Sequence, residues 1–532
     1  MSKNKIYFII IFVISVFFRF YKLDNLPSSL NWDEISHGYN AYSLLKTGKD
    51  QWGQSWPIFN FRAYGDYPTT LNLYLTIPFI YLFGLNAFAL RLPAAILGIL
   101  FTIIIYLFAR IIFKNRNLAL ITFVIASFSP WTFFPSRGVF QSNLAQFFLL
   151  LGVYLFYIKT NKKIIWILSA LSLGLSMYSY HNTRLITPLI FGLLLFIYRP
   201  KKIKTLIISI IFLILAIPSF INLFSQDSMA RNRWVGIINP NSINLINESR
   251  RLFEGPQFLN LAINNKVVYF TREVVNNFIL FLSPLPIFFN GSQNYQFNLP
   301  NSALIFIYFL PFFYIGLFYC FKNLLKNKDL IFLCIAFLIT LIPAALTVGD
   351  YPSIRLTIAT PFIYIFITYG FLYLSAKTKG YLLPLVLIIT LIFFGIYWQN
   401  YNKYSIDFAP SWQYGYKEVI SEINTLYPQY KQIYFTKKYG EPHEFILFYN
   451  AWDSQKYLND PNLNTDFHSD WYWVNSFDKY IFLNDWEIKS KTIPTNSLLI
   501  TSPNNYPTKN SKLLKTINFP SGIPAFDIVT YD

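Results

Sequence analysis

Ile6-Tyr7-Phe8-Ile9-Ile10-Ile11-Phe12-Val13-Ile14-Ser15-Val16-Phe17-Phe18-Arg19-Phe20-Tyr21 runs on, after a short polar stretch, to Asn31-Trp32-Asp33-Glu34. The first stretch is apolar enough to enter a bilayer, and the second places two adjacent acids among interfacial aromatics. Carboxylates are expensive near hydrocarbon, so an acidic pair at a membrane surface needs a reason. Chemistry at the lipid–water boundary supplies one. No small-x-small cleavage site follows the apolar run, so a retained first span is expected rather than a signal peptide.

The composition agrees with a membrane chain. Of 532 residues, 54% are hydrophobic and only 13% charged, about half the charged share of a soluble domain. The net charge of +19 does not point to nucleic acid, because the basic residues sit in short clusters between apolar runs, as in cytoplasmic loops. The cysteines, Cys320 and Cys334, both lie inside apolar runs. They suggest neither a disulfide framework nor a zinc site.

Eleven spans are expected, at about 6–22, 91–113, 118–134, 143–158, 164–180, 185–198, 205–224, 302–321, 330–348, 356–376 and 381–398. Basic clusters then fall in every second loop: Lys3 and Lys5; Arg110, Lys114 and Arg116; Lys159, Lys162 and Lys163; Arg199 to Lys204; Lys322, Lys326 and Lys328; Lys377 and Lys379. One orientation satisfies all of them, with the N-terminus inside and the C-terminal region outside. It requires the apolar stretch 68–86, which contains Pro78, to lie in the outer interface rather than to span. Residues 278–289, with Pro284 and Pro286, are read as interfacial or re-entrant. The expected fold is therefore a mainly α, polytopic bundle over residues 1–398, with a first outer loop at 23–90 and a long outer loop at 225–301. Residues 399–532 follow as a small extracytoplasmic α/β domain. Strand-like runs at Gln432–Phe435 and Lys479–Phe482 and a helix-like run from Trp412 to Leu426 mark it.

The mid-depth parts of the spans hold almost no ionisable residues, unlike ion-coupled transporters. Charge gathers at the outer ends instead. The acids Asp33, Glu34 and Asp66 lie in the first loop, and Arg62, Arg137, Arg184 and Arg355 lie in four segments, with His181 beside Arg184. A carboxylate can take a proton from a hydroxyl nucleophile. Guanidiniums can hold a phosphate and stabilise it as a leaving group. Asp33 and Glu34 are thus the candidate catalytic residues. Arg62, Asp66, Arg137, His181, Arg184 and Arg355 are the candidate substrate ligands. Arg91, at a span end beside Pro93, reads as an interfacial anchor. Arg355 has Asp350 as a possible partner. The cluster Glu441, His443 and Glu444 has metal-ligand chemistry but no metal-site spacing, and no metal is assigned.

Five segments carry a family resemblance. They are Asp33-Glu34 after the first span; Leu82 through Ala94; Ser129-Pro130-Trp131 with Ser136-Arg137; Tyr178 through Arg184 with Pro188; and Pro343-Ala344-Ala345-Leu346-Thr347 running on to Pro352 and Arg355. In order and spacing, residues 1–400 resemble the GT-C membrane glycosyltransferases of family 39, the group of protein O-mannosyltransferases and aminoarabinose transferases. The resemblance implies a polyprenyl-phosphate sugar donor and a glycan, lipid or protein acceptor. It also implies an inverting displacement at the outer face of a bacterial plasma membrane. By it, Asp33 matches the first-loop acid that activates or orients the acceptor, and Arg184 and Arg355 match positions near the donor phosphate. Two positions depart from the pattern. Gln141 stands where relatives often carry an acid, which argues against an obligatory divalent ion. Gly65-Asp66-Tyr67-Pro68 lacks the usual Lys-Pro, leaving Arg62 to substitute. A lipid-linked oligosaccharide polymerase or ligase, and a lipid or glycan transporter, stay open as alternatives.

Overall fold

The computed structural model describes residues 3–225, 229, 235–378 and 380–531. Lys379, counted above in the last basic cluster, lies outside the described residues. The chain is mainly helical, with helices apolar enough to cross a membrane and a small sheet near its C-terminus. Among the described residues five helices are long and apolar enough to span: Ala87–Phe113, Lys202–Asn222, Lys328–Ala345, Ser353–Ser375 and Leu382–Asp407. A sixth is added if Arg116–Phe128 and Pro130–Arg137, bent by 61°, count as one span. Leu71–Phe83, Lys163–Met177, Thr183–Tyr198 and Ile307–Lys322 are apolar but shorter. The expected count of eleven is therefore not reproduced by length and hydropathy. Pro130 accounts for one break, because it removes a helical donor and ends the run before it.

The chain divides into two compact units, and the division is not the expected one. One unit comprises Met1–Arg19, Ile96–Ser136 and Phe140–Tyr397, and the other comprises Phe20–Ala95, Arg137–Val139 and Trp398–Asp532. The first loop, expected to belong with the helical bundle, folds with the C-terminal segment instead.

The first unit is a helical body held by close backbone approach. A Cβ at Gly316 would run into the backbone at Phe366, and one at Gly370 into the backbone at Phe312. Glycines on facing helices thus let Leu310–Lys322 and Thr360–Ser375 pack tightly, as small residues do where lipid supplies no hydrophobic drive.

In the second unit four helices matter: α1 (Lys3–Phe20) leads into it, and α2 (Trp32–Thr47), α3 (Leu71–Phe83) and the start of α4 (Ala87–Phe113) belong to it. The start of α2 is written in its sequence as a capping box. Asn31 Oδ1 accepts from Glu34 N–H at 2.9 Å, and Glu34 Oε2 accepts from Asn31 N–H at 3.3 Å. Gly48, at φ +71°, ends it with a left-handed cap. The first outer loop therefore contains the helix α2 besides the expected apolar helix α3.

The expected C-terminal α/β domain is present as a seven-stranded mixed sheet. Its strands are β1 (Gln432–Thr436), β2 (Asn464–His468), β3 (Trp471–Phe477), β4 (Tyr480–Leu483), β5 (Ser497–Thr501), β6 (Ser511–Asn518) and β7 (Pro524–Tyr531), in the order β2-β3-β4-β1-β5-β7-β6. β1 runs parallel to both β4 and β5, and the other pairs are antiparallel. The central strands are almost fully buried while edge strand β2 is exposed throughout, as expected when a parallel centre is covered on its faces. Much of that cover comes from the first loop. Ile35, Tyr39 and Leu44 of α2 and Leu73 and Ile80 of α3 share one core with Ile433, Phe435, Phe445, Phe448 and Ile528.

Gly38 marks the closest approach within that core. A Cβ there would lie 2.7 Å from the Phe448 ring and 2.6 Å from the end of Leu90. Gly38→Val should destabilise the second unit by about 1–3 kcal/mol through overpacking. A lowered thermal midpoint and faster proteolysis within residues 20–95 would register it.

Candidate active site

The two acids of the first loop part company in the structure. Successive helical residues point about 100° apart, so Asp33 is exposed at the start of α2 while Glu34 is only 2% exposed. Glu34, expected to be catalytic, is fully occupied elsewhere. Its Oε1 accepts from Arg91 Nε at 3.0 Å and from Val139 N–H at 3.1 Å, and its Oε2 accepts from Arg91 Nη2 at 2.9 Å as well as from Asn31.

Arg91 is not an interfacial anchor. It is 0% exposed. Besides the fork to Glu34, its Nη1 donates to Leu23 O and Pro27 O and its Nη2 to Ser29 O. All five guanidinium N–H groups are used. The bidentate pair, closed over by Trp412, fastens the start of α4 to the loop between α1 and α2.

Arg137 also has a structural post. Nη2 donates to the carbonyls of Tyr21, Lys22 and Leu26 at 3.0, 3.2 and 3.0 Å, and the guanidinium lies over Trp398 and Tyr401. Its engagement with backbone carbonyls accounts for its burial. Arg62 is half-buried and sits 4.2 Å from the Tyr472 ring centroid and 5.4 Å from that of Trp52, a cation–π setting. Asp66 shapes a turn, accepting Tyr67 N–H at 2.9 Å and, through its carbonyl, Ala63 N–H.

The remaining three candidates belong to the first unit. Arg184, at the start of the helix Thr183–Tyr198, is buried and donates from Nη1 to Asn222 Oδ1 at 3.1 Å. Arg355 is half-buried and donates from Nη1 to Thr347 Oγ1 at 2.6 Å. His181 is half-buried in the turn before Arg184. The candidates thus divide as Asp33, Glu34, Arg62, Asp66 and Arg137 in one unit and His181, Arg184 and Arg355 in the other.

Asp33 stands in an aromatic setting. Tyr64 O–H donates to Trp32 O at 2.8 Å, Tyr64 stacks on Trp471 with centroids 5.2 Å apart, and Trp32 N–H donates to Gln413. Gly440, at φ +128°, passes so close to the Trp32 ring that a Cβ would sit 2.6 Å from it. Beneath this lies a group whose organisation the sequence does not announce. Glu441 precedes the helix Pro442–Tyr449, and His443 and Glu444 lie in its first turn; all three are buried. Glu441 Oε1 accepts from Trp471 Nε1 at 2.7 Å, and Glu444 Oε1 accepts from Gln51 Nε2 at 2.5 Å. The imidazole lies between the acids, Nδ1 3.5 Å from Glu441 Oε2 and Nε2 3.7 Å from Glu444 Oε1. Burial raises Glu441 to about 7 and Glu444 to about 8 and lowers His443 to about 3. Below about pH 7 these contacts therefore join uncharged groups rather than ion pairs. The two acids face opposite ring nitrogens and do not converge on one point. No group of three metal-ligating side chains suited to an ion occurs among the described residues.

A family model described as dolichyl-phosphate-mannose-protein mannosyltransferase matches residues 69–222. Two solved structures of ArnT from Cupriavidus metallidurans have a similar fold. The apo-state structure is 10% identical over 99% of this chain and 98% of that chain, with a TM-score of 0.55. The structure bound to undecaprenyl phosphate is 10% identical over 98% and 97%, with a TM-score of 0.53. No curated protein matches by sequence. The family match and the full-length fold bear out the resemblance to GT-C membrane glycosyltransferases.

Arg91→Ala would strand a buried carboxylate and should destabilise the second unit by about 3–5 kcal/mol. Arg91→Met with Glu34→Gln should recover part of this and not all, because the carbonyls of Leu23, Pro27 and Ser29 lose their donors. Thermal unfolding of the three variants checks the order.

Proposed function

We propose that this chain is a glycosyltransferase that moves a sugar from a polyprenyl-phosphate donor to an acceptor hydroxyl at the extracytoplasmic membrane face. The observation that carries the reading is the family match over residues 69–222 within a fold shared along nearly the whole chain with ArnT. That an ArnT structure holds undecaprenyl phosphate supports a polyprenyl-phosphate carrier here. The exposure of Asp33, beside a Glu34 that is fully engaged, supports assigning the acceptor to Asp33.

In this mechanism the acceptor oxygen attacks the anomeric carbon as the bond to the phosphate oxygen breaks. The configuration inverts, the hydroxyl proton passes to Asp33, and polyprenyl phosphate leaves with the bonding electrons. Within the first unit, the candidates for contact with a phosphate are Arg184 and Arg355, with His181 beside Arg184. Arg62, half-buried on Tyr472 and Trp52, takes part of the role of the missing first-loop lysine. Glu34 and Arg137 support the fold rather than the chemistry. The acceptor is a glycan, lipid or protein hydroxyl, and the membrane is a bacterial plasma membrane with the C-terminal domain outside.

Asp33→Asn should lower transfer by about 10²-fold or more, the scale of a lost general base, while binding of polyprenyl phosphate persists. Transfer at the parental rate, measured as loss of sugar from a purified polyprenyl-phosphate monosaccharide, would remove Asp33 from the role. In a cysteine-free background, Asp33→Cys should react with a membrane-impermeant thiol reagent added outside intact cells. Labelling only after lysis would reverse the orientation. A chain that ignores monosaccharide donors and consumes lipid-linked oligosaccharides would instead be a polymerase or ligase.

A further inference from the structure

The Glu441–His443–Glu444 array is a poor way to fill a core. Glu441 Oε2 and both His443 ring nitrogens are out of solvent and make no hydrogen bond, a state that costs stability relative to apolar packing. Unlike apolar packing, however, the array has a charge that depends on pH. It also lies directly against the helix that presents Asp33. Glu444 holds Gln51, whose N–H donates to Asn40 Oδ1 at 3.1 Å while Asn40 Nδ2 donates back to Gln51 Oε1 at 3.2 Å. Asn40 is on α2, two turns after Asp33 and on the same face. Tyr39 and Tyr42 donate to the carbonyls of Trp452 and Ala451, just beyond the Pro442–Tyr449 helix.

We propose that the Glu441–His443–Glu444 array is a positioning group for Asp33, holding α2 in place while uncharged and loosening it on losing protons, so that it sets the alkaline limit of the reaction. This rests on the reading of Asp33 as the acceptor's base. Burial favours the uncharged form of both carboxyls, and the donors Trp471 and Gln51 and the Lys437 cation oppose it only in part. Tyr39 from α2, Tyr64 from the first loop, Tyr416 and Tyr457 are all buried and themselves pushed up by burial. The cation whose field reaches Glu441 is Lys437, whose amine is engaged by Asn475 and lies over Trp473. When both carboxyls ionise, two negative charges lie on either side of a neutral imidazole. Hydrating them requires the Pro442–Tyr449 helix to part from α2.

The direction with pH follows from linkage. An unfolded chain gives up the two carboxyl protons near 4.5, whereas the folded unit keeps them to about 7 and about 8. The stability they confer is thus full below 4.5 and is lost as pH rises through the folded values. His443, lowered to about 3, acts in the opposite sense only below 6.5. Between 6.5 and 8 the carboxyls act alone, and the hold on α2 weakens.

The test is hydrogen exchange of residues 31–47 in the full chain in nanodiscs across pH 6 to 9, corrected for intrinsic exchange, with kcat and donor KM measured in parallel. In the parent, protection of α2 should fall by about tenfold or more between pH 6.5 and 8.5. The parental kcat should fall over the same range while donor KM changes less than about twofold. Glu444→Gln keeps an acceptor for Gln51 and does not titrate. It should abolish the part of the loss of protection and of kcat that develops near pH 8 and leave the part near pH 7, whereas Glu441→Gln should abolish the part near pH 7. Parental protection independent of pH, or a Glu444→Gln profile superimposable on the parent's, would overturn the proposal. Exchange is read without turnover, so transfer by Asp33→Asn would dismiss Asp33 as the base and leave the result on the array legible.

Discussion

The Glu34–Arg91 ion pair is the constraint on which the second unit depends. A buried ion pair is a weak source of net stability, since desolvation offsets attraction. Breaking it is nevertheless costly, because either partner alone is an uncompensated buried charge. Here the geometry leaves almost nothing unsatisfied. The guanidinium gives all five donors, and the carboxylate receives two from Arg91, one from Asn31 and one from Val139. Three separate stretches, the start of α2, the start of α4 and residues 137–139, are thereby tied at one point. Asp33 gains a fixed position at no cost to its own exposure, because its neighbour in sequence bears the restraint. A side chain mounted on the first turn of a capped helix is held more precisely than one on a free loop.

That division of labour was half legible in the sequence. The membrane class, the apolar helix around Pro78 and the C-terminal strands followed from periodicity and composition, and β1 and β4 fall within about one residue of the runs read as strands. Asn31-x-x-Glu34 is itself a helix-start signature. It was masked by the expectation that an aromatic stretch between spans is loop. The roles of Arg91 and Arg137 left no local trace, because their partners lie 57 or more residues away. A span-end arginine reads as an anchor whenever tertiary partners are unknown. The same limitation hid the division of the chain, since contiguous domains are the default and the first loop shares its core with residues over three hundred positions later.

The second unit contains two kinds of buried charge-bearing site, and the contrast between them carries the functional argument. Glu34 is saturated with donors and has a guanidinium opposite, so its ionised form has everything it needs. Glu441 and Glu444 have one strong donor each, Trp471 and Gln51, and an imidazole too deeply buried to charge. Burial holds the two carboxyls of the second arrangement near neutrality, at about 7 and about 8. In the proposed arrangement the array, linked to α2 through Gln51 and Asn40, would hold Asp33 rigidly only while it keeps its protons. Rigidity and sensitivity are thus assigned to different residues, one at the start of α2 and the other two turns further along it.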